Sequence, residues 1–264
     1  MELIKQLREM TGAGMVDCKK ALDEASNDLD KAIEILRKKG ISKAAKRTDR
    51  EAKEGTVKVS TNKEKNEAYV VEINCETDFV SRNEKFQALA DQILAVVMEN
   101  KPADLEALMA CLIEGISVSD HLANFSGTIG EKLEIKRFAI LPGETVAAYS
   151  HLGGRLGVLV ALNKSGLDDL AADVAMQIAA ANPKYIRPAE VDAEEMAKEK
   201  EIYRAQLLKE GKPENMVDKI VEGKMGKYYS EVCLLEQEYI KEDKKKVKDI
   251  LGDADVSGFV RYSL

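Results

Sequence analysis

Apolar side chains recur at helical spacing over the first forty residues. Leu3, Leu7 and Met10 fall at i, i+4 and i+7; Met15, Cys18, Leu22 and Ala25 continue the pattern, and Leu29, Ile33 and Leu36 repeat it. Three short helices follow, broken between the first two by Thr11-Gly12-Ala13-Gly14, with Asn27 or Asp28 capping the third and Gly40 closing it. Residues 37–53 then carry eight Lys or Arg against Asp49 and Glu51, which reads as a linker or solvated helix, with a nucleic-acid arm as the alternative. After Gly55 the period drops to two. Val57 and Val59 alternate with polar neighbours, as do Tyr69, Val71 and Ile73, and the polar run Thr61–Glu67 between them predicts a hairpin.

The second strand runs into Asn74-Cys75-Glu76-Thr77-Asp78-Phe79-Val80. A helix follows, with Ser81 and Glu84 at capping-box spacing and Phe86, Leu89, Ala90, Ile93 and Val97 as its stripe. Leu105, Leu108 and Leu112, then Leu122, Phe125 and Ile129, give two shorter helical patterns. Strands are predicted at Leu133–Leu141 and Glu144–His151 around Pro142-Gly143, and at Leu156–Leu162 after the turn Leu152-Gly153-Gly154-Arg155. Leu167, Leu170, Val174 and Ile178 stripe a helix stopped by Asn182-Pro183. Residues 192–229 form two long arms around Gly211-Lys212-Pro213, an antiparallel helical hairpin with arms of roughly 27 Å. Its expected seam is Met196, Tyr203, Leu207, Met216, Ile220 and Tyr228. A helical patch at Lys244–Leu251 and a strand at Val256–Tyr262 end the chain.

The fold class expected is α+β. A three-helix unit spans 1–40 and a basic linker 41–55. Two related α+β subdomains with antiparallel sheets occupy 56–131 and 132–191, the hairpin is inserted at 192–229, and residues 230–264 return to the second subdomain. A chain of 264 residues fits about two domains.

Composition narrows the function. The net charge of −7 argues against nonspecific phosphate binding over the whole surface, and 5% aromatics without Trp argue against a base-stacking platform. There is no membrane-length apolar run and no basic-then-apolar leader at Met1–Lys5, so a cytoplasmic protein is expected. Cys18, Cys75, Cys111 and Cys233 lie far apart without C-x-x-C spacing, so neither a disulfide framework nor a metal site is expected. The sequence shows no Walker loop, dinucleotide fingerprint, G-x-S-x-G or H-E-x-x-H, and Gly153–Gly157 joins two strands rather than opening a helix. Cys75 with His151 can be drawn as a thiol–imidazole pair, but nothing except composition proposes it and Cys75 is expected to be a buried structural cysteine; His121 is the other histidine. No catalytic residue and no cofactor are expected.

Thr77-Asp78-Phe79-Val80 is the most informative loop, because it joins a strand end to a helix cap. Val80 has Lys85 where a hydrophobic staple needs an apolar partner, so Phe79 lacks a local one. Two readings stand. Either Phe79 folds back onto its own sheet while Asp78 helps cap the helix, or the loop projects toward another molecule.

Thr11-Gly12-Ala13-Gly14-Met15 with Asp17-Cys18-Lys19-Lys20-Ala21-Leu22, and Asn74-Cys75-Glu76-Thr77-Asp78-Phe79-Val80, resemble the two signatures of the bacterial elongation factor Ts family. The resemblance extends through Ile129-Gly130-Glu131, Tyr149–Val160, the Gly-Lys-Pro turn and Gly258-Phe259-Val260-Arg261. It implies a guanine-nucleotide exchange factor of translation, not an enzyme, that binds elongation factor Tu and speeds GDP release. It further implies a ubiquitin-associated-like N-terminal module docking on the partner's nucleotide domain. Thr77, Asp78, Phe79 and Val80 would intrude near the partner's magnesium, with Met15, Ile129 and His151 as further contacts and the hairpin as a dimerisation or partner element. Some members continue past the last strand with a helical module that touches the partner; this chain stops at Leu264, so that contact is not expected. The alternative function is an adaptor with a ubiquitin-associated-like head that binds RNA or the ribosome through the basic stretch; under the leading reading neither nucleic acid nor membrane is bound directly.

Overall fold

The computed structural model describes residues 1–11, 13–45 and 47–264; Gly12, in the expected helix break, and Lys46, in the basic run, lie outside the described residues. The chain opens with α1 (Glu2–Thr11), α2 (Met15–Glu24) and α3 (Leu29–Ala45). Next come β1 (Glu54–Thr61), β2 (Glu67–Cys75), α4 (Asp78–Ser81), α5 (Glu84–Asn100), α6 (Leu105–Ala110), β3 (Leu112–Ile113), β4 (Ile116–Ser117) and α7 (Val118–Ile129). The remainder is β5 (Leu133–Pro142), β6 (Thr145–His151), β7 (Leu156–Leu162), α8 (Asp168–Ala181), α9 (Ala193–Lys209), α10 (Glu214–Val232), α11 (Val247–Ile250) and β8 (Val256–Ser263). The fold is α+β with antiparallel sheets behind N-terminal helices.

Two three-stranded sheets, ordered β1-β2-β5 and β6-β7-β8, stack face to face. Strand periodicity sends Tyr69, Val71, Ile73 and Cys75 of β2 toward α5, and Ala68 and Val70 toward the other sheet. In β7, Val158, Val160 and Leu162 pack on α8 while Leu159 and Ala161 face β1 and β2. Both central strands are therefore buried on two faces. Small residues set the spacing between the sheets: a methyl group on Gly157 would lie 2.7 Å from the Val59 Cγ1. The α5 stripe Phe86, Leu89, Ala90, Ile93 and Val97 is buried throughout. Although Gly143 and Glu144 alone separate β5, which includes Pro142, from β6, the two strands enter different sheets; the second hairpin is β6–β7, closed by residues 152–155. The 105–130 segment also contains the β3–β4 hairpin, which places Leu112 in a strand rather than a helix.

Several local expectations are corrected. In the three-helix cluster Leu7, Cys18, Ala21, Leu22 and Ala32 are core, with Ile4 against them, whereas Leu3, Met10 and Met15 are exposed. A ten-residue helix meeting its neighbours along one line needs only Ile4 and Leu7 inside. Asp28 caps α3 by accepting from the Lys31 N–H at 3.1 Å, while Asn27 sits in the left-handed region at φ 62°. Gly40 does not end α3. The helix continues to Ala45, and Gly40 lies against Gly127 of α7, its backbone filling the space that a side chain on Gly127 would need. Asn83, not Ser81, caps α5 by accepting from the Lys85 N–H at 2.9 Å, because α4 intervenes as its own turn. The hairpin seam runs through Leu207, Val217, Val221, Met225 and Tyr228, with Met196, Tyr203 and Ile220 packed against it as expected, whereas Met216 points outward. The i, i+4 steps from Val217 put those side chains, one position from Met216, toward α9. Pro213 is the N-cap of α10 rather than its first turn, and the terminal helical patch contracts to α11.

Glu195 ties the root of the hairpin. Its carboxylate accepts from Tyr185 Oη and Tyr228 Oη, each at 2.6 Å, and from Lys184 Nζ at 3.2 Å. These hydrogen bonds, Tyr185's first, hold its pKa down to about 2, below the ordinary 4.5.

Two outcomes follow from this packing. Gly127→Ala gains about 1 kcal/mol of helix propensity but forces α3 and α7 apart, and overpacking of this kind costs about 1–3 kcal/mol. Urea unfolding is expected to show a net loss of stability. Because the Glu195 pKa is depressed on folding, the stability it contributes is complete above pH 4.5 and lost as pH falls through about 2. The stability gap between the wild type and Glu195→Gln is therefore expected to be constant at neutral pH and to close between pH 4.5 and 2.

Candidate functional site

β2 ends at Cys75, and the next six residues turn the chain into a single helical turn. Thr77 is its N-cap: the backbone is extended and the hydroxyl oxygen accepts from the Val80 N–H at 3.4 Å. The Ser81 hydroxyl donates to Asp78 O at 3.0 Å, and Gln87 Nε2 donates to Ser81 O at 2.5 Å, tying the turn to α5. Successive helical residues point about 100° apart. Val80 therefore packs on the α5 core while Phe79, 84% exposed, stands in solvent. Of the two sequence readings, folding back onto the sheet is excluded. Asp78 begins the turn, half-exposed, and pairs with Arg82 at 3.1 Å.

The turn is held from outside by an acid that sequence reasoning did not assign. Glu131 Oε2 accepts from the Glu76 N–H at 3.1 Å and the Thr77 N–H at 3.0 Å, and the Thr77 hydroxyl donates to Glu131 Oε1 at 2.6 Å. Reciprocally, Glu76 Oε1 accepts from the Lys132 N–H at 2.6 Å. Arg50 Nη1 donates to Glu76 Oε1 at 3.1 Å, and Arg47 Nη1 to Ser126 O at 2.8 Å. Burial works to raise the Glu76 pKa, but the Lys132 amide and Arg50 outweigh it and hold it below the usual carboxylate range. The Ser126 hydroxyl donates to Glu131 O at 2.5 Å, joining the end of α7 to the same network.

Ile129, half-buried, is the last residue of α7, ahead of Gly130 at φ 85° and two positions before Glu131. The network thus brings Ile129 and Thr77–Val80 together. His151 ends β6, exposed, its ring stacked on Tyr149 with Nδ1 3.1 Å from the Tyr149 hydroxyl. The following turn lies along the start of β1: Val57 N donates to Gly154 O at 2.6 Å, and Arg155 pairs with Glu54 at 2.7 Å. Glu54 is the register partner of Cys75, so the His151 turn and the Phe79 turn leave the same end of the first sheet. Met15 is separate. It opens α2 beside exposed Val16, and its helices join this end through α7, by Gly40 on Gly127 and Arg37 Nη2 to Asp120 Oδ2 at 2.8 Å.

Thiol–imidazole chemistry has no geometry here. Cys75 is fully buried, its Sγ donates to Thr77 O at 3.1 Å, and burial, reinforced by the Glu131 charge, pushes its pKa up to about 12. His121 Nε2 lies 3.0 Å from Ile113 O. Gly154 and Gly157 serve close packing on β1: a methyl group on Gly154 would lie 2.7 Å from Thr56 Oγ1. Among the described residues no cluster of His, Cys, Asp or Glu could hold a metal ion, and no helix is long and apolar enough to cross a membrane.

The site is therefore a presenting surface: an exposed aromatic and an acid on one rigid turn, flanked by Ile129 and His151. Comparison with known families gives a match to Elongation factor TS over residues 76–264. The match begins at Glu76, the first residue of the hydrogen-bonded turn, and takes in every later element. Since it covers well over half of the 264 residues, this chain belongs to the elongation factor Ts family, the nucleotide exchange factors of translation elongation.

Proposed function

We propose that this chain binds elongation factor Tu and accelerates GDP release by setting Phe79 and Asp78 against the partner's magnesium-and-phosphate site. The observation that carries this reading is the exposure of Phe79 on a turn fixed at both ends. Leaving such a side chain in water forgoes roughly 1.5–3 kcal/mol of burial, which a partner's pocket can recover. Magnesium tolerates little departure from octahedral geometry, so an aromatic wedge that shifts one ligand-bearing element loosens the ion and the phosphates it bridges. By linkage, nucleotide weakens this chain's grip on the partner by the same factor, and incoming GTP releases it.

Thr77 and Val80 frame the wedge, Ile129 and His151 widen the contact at the same end, and the ubiquitin-associated-like helices bring Met15 to the partner's nucleotide domain. The α9–α10 hairpin, with Ile202, Leu208 and Met216 exposed, supports contact with a second copy of the chain or with the partner. The setting is the cytoplasm, where translation takes place. The adaptor reading is weakened, because Arg37, Arg47 and Arg50 of the basic stretch are engaged by Asp120, Ser126 and Glu76 of the same chain.

The test is stopped-flow release of fluorescent GDP from elongation factor Tu. Phe79→Ala removes an exposed side chain, so the chain is expected to unfold at the wild-type temperature. The stimulated release rate is expected to fall roughly tenfold or more, as for a buried aromatic anchor. Wild-type stimulation by folded Phe79→Ala would refute the wedge.

A further inference from the structure

We infer that Glu131 is a positioning residue for exchange, a carboxylate that sets the direction in which Phe79 is presented without itself touching the nucleotide site. The inference rests on the reading proposed above. α4 is a single turn of four residues, and one isolated helical turn is unfavourable because several backbone angles are fixed for one hydrogen bond. Its orientation must be imposed from outside. Val80 fixes one point by packing on the α5 core, and the Gln87–Ser81 bond fixes the far end. Neither determines how the turn leaves β2.

Glu131 does. One oxygen takes two consecutive amides, of Glu76 and Thr77, and the other takes the Thr77 hydroxyl. That hydroxyl oxygen also accepts the Val80 N–H, so the hydrogen-bond chain runs from Glu131 through the cap to the residue following Phe79. The acid is itself placed: its backbone oxygen accepts from Ser126, Gly130 before it ends α7, and the amide of Lys132 after it is taken by Glu76. Two segments more than fifty residues apart thus exchange carboxylate–amide bonds in both directions. Charge-assisted bonds of this kind are the stronger class, and removing the shared acceptor leaves three donors without it at once. Arg50, which bridges Glu76 and Gly130 O, brings the segment after α3 into the same arrangement.

The chain has no tryptophan, so Phe79→Trp supplies a lone indole at the tip of the turn. In that background, without any partner, Glu131→Ala is expected to lower the steady-state anisotropy of the indole and raise its quenching by acrylamide. Glu131→Gln is expected to restore both, since its amide oxygen can take the two backbone amides. With elongation factor Tu and fluorescent GDP, and Phe79 retained, Glu131→Ala is expected to lower the maximal stimulated release rate on the order of tenfold, with Glu131→Gln recovering most of it. The concentration giving half-stimulation should move less than the maximum, a split that a loss of folded protein would not produce. If Glu131→Ala does not fold, Thr77→Val, which keeps the side-chain shape but removes the hydroxyl link, is expected to shift the indole and the maximal rate in the same direction. Unchanged anisotropy, or an unchanged maximal rate, in a folded variant overturns the positioning role. Because the indole measurement needs no partner, it fails independently of the wedge, which stands or falls with Phe79→Ala.

Discussion

Between residues 76–77 and 131–132 each segment offers a carboxylate to the other's backbone amides, and the exposed end of the molecule is organised around that exchange. A strand that stops and a helix that stops both leave amides and carbonyls in need of partners, normally found in water or in a local cap. Here they are found in each other. The end of β2 and the end of α7 become one piece, and the single turn bearing Phe79 inherits the stiffness of both. Hydrogen bonds to charged groups contribute about 1.5–3 kcal/mol each, comparable to the burial forgone by leaving Phe79 in solvent. A structure can hold an aromatic outward only if something else fixes the turn, and these bonds do so.

The frame behind the turn gains its rigidity from close approach. Gly157, Ala68 and Ala161 put small residues at points where the two sheets come together. The buried carboxylate of Glu72 enters this space only because Arg137 Nε meets it at 2.6 Å and Lys136 at 3.4 Å. The same approach brings the 152–155 turn against the start of β1, which is why His151, on the second sheet, shares an end with Phe79, on the first. At the other junction, Gly40 on Gly127 lets α3 and α7 touch backbone to backbone, and Arg37, Arg47 and Arg50 secure the approach. What reads in sequence as a solvated basic run thus includes three arginines that fasten the helical head to the body. A partner that grips the head through Met15 and Val16 and meets Phe79 at the sheet end would engage a mechanically continuous object.

Local periodicity by itself determined a large part of this molecule. The α5 stripe, the β1–β2 hairpin, the buried strand at Leu156–Leu162, the Asn182 stop and the paired arms of the hairpin were all legible. Each depends on backbone geometry acting over a few residues, and burial of one face leaves its period in the composition. The motif Thr77-Asp78-Phe79-Val80 could also be singled out, because it joins a strand end to a helix cap. Tertiary structure decided the rest. Whether Phe79 lies in or out, whether Gly40 stops a helix or lets one pass, and whether Met216 or Val217 forms the seam depend on which surface arrives opposite. The role of Glu131 left no signal beyond its place in the Ile129-Gly130-Glu131 segment of the family resemblance, since the atoms it binds lie more than fifty positions away and an acid after a glycine reads like any solvated residue. Sequence specifies what each segment can do with its own backbone; only the meeting of distant segments chooses which donor faces which acceptor, and here that choice aims the aromatic.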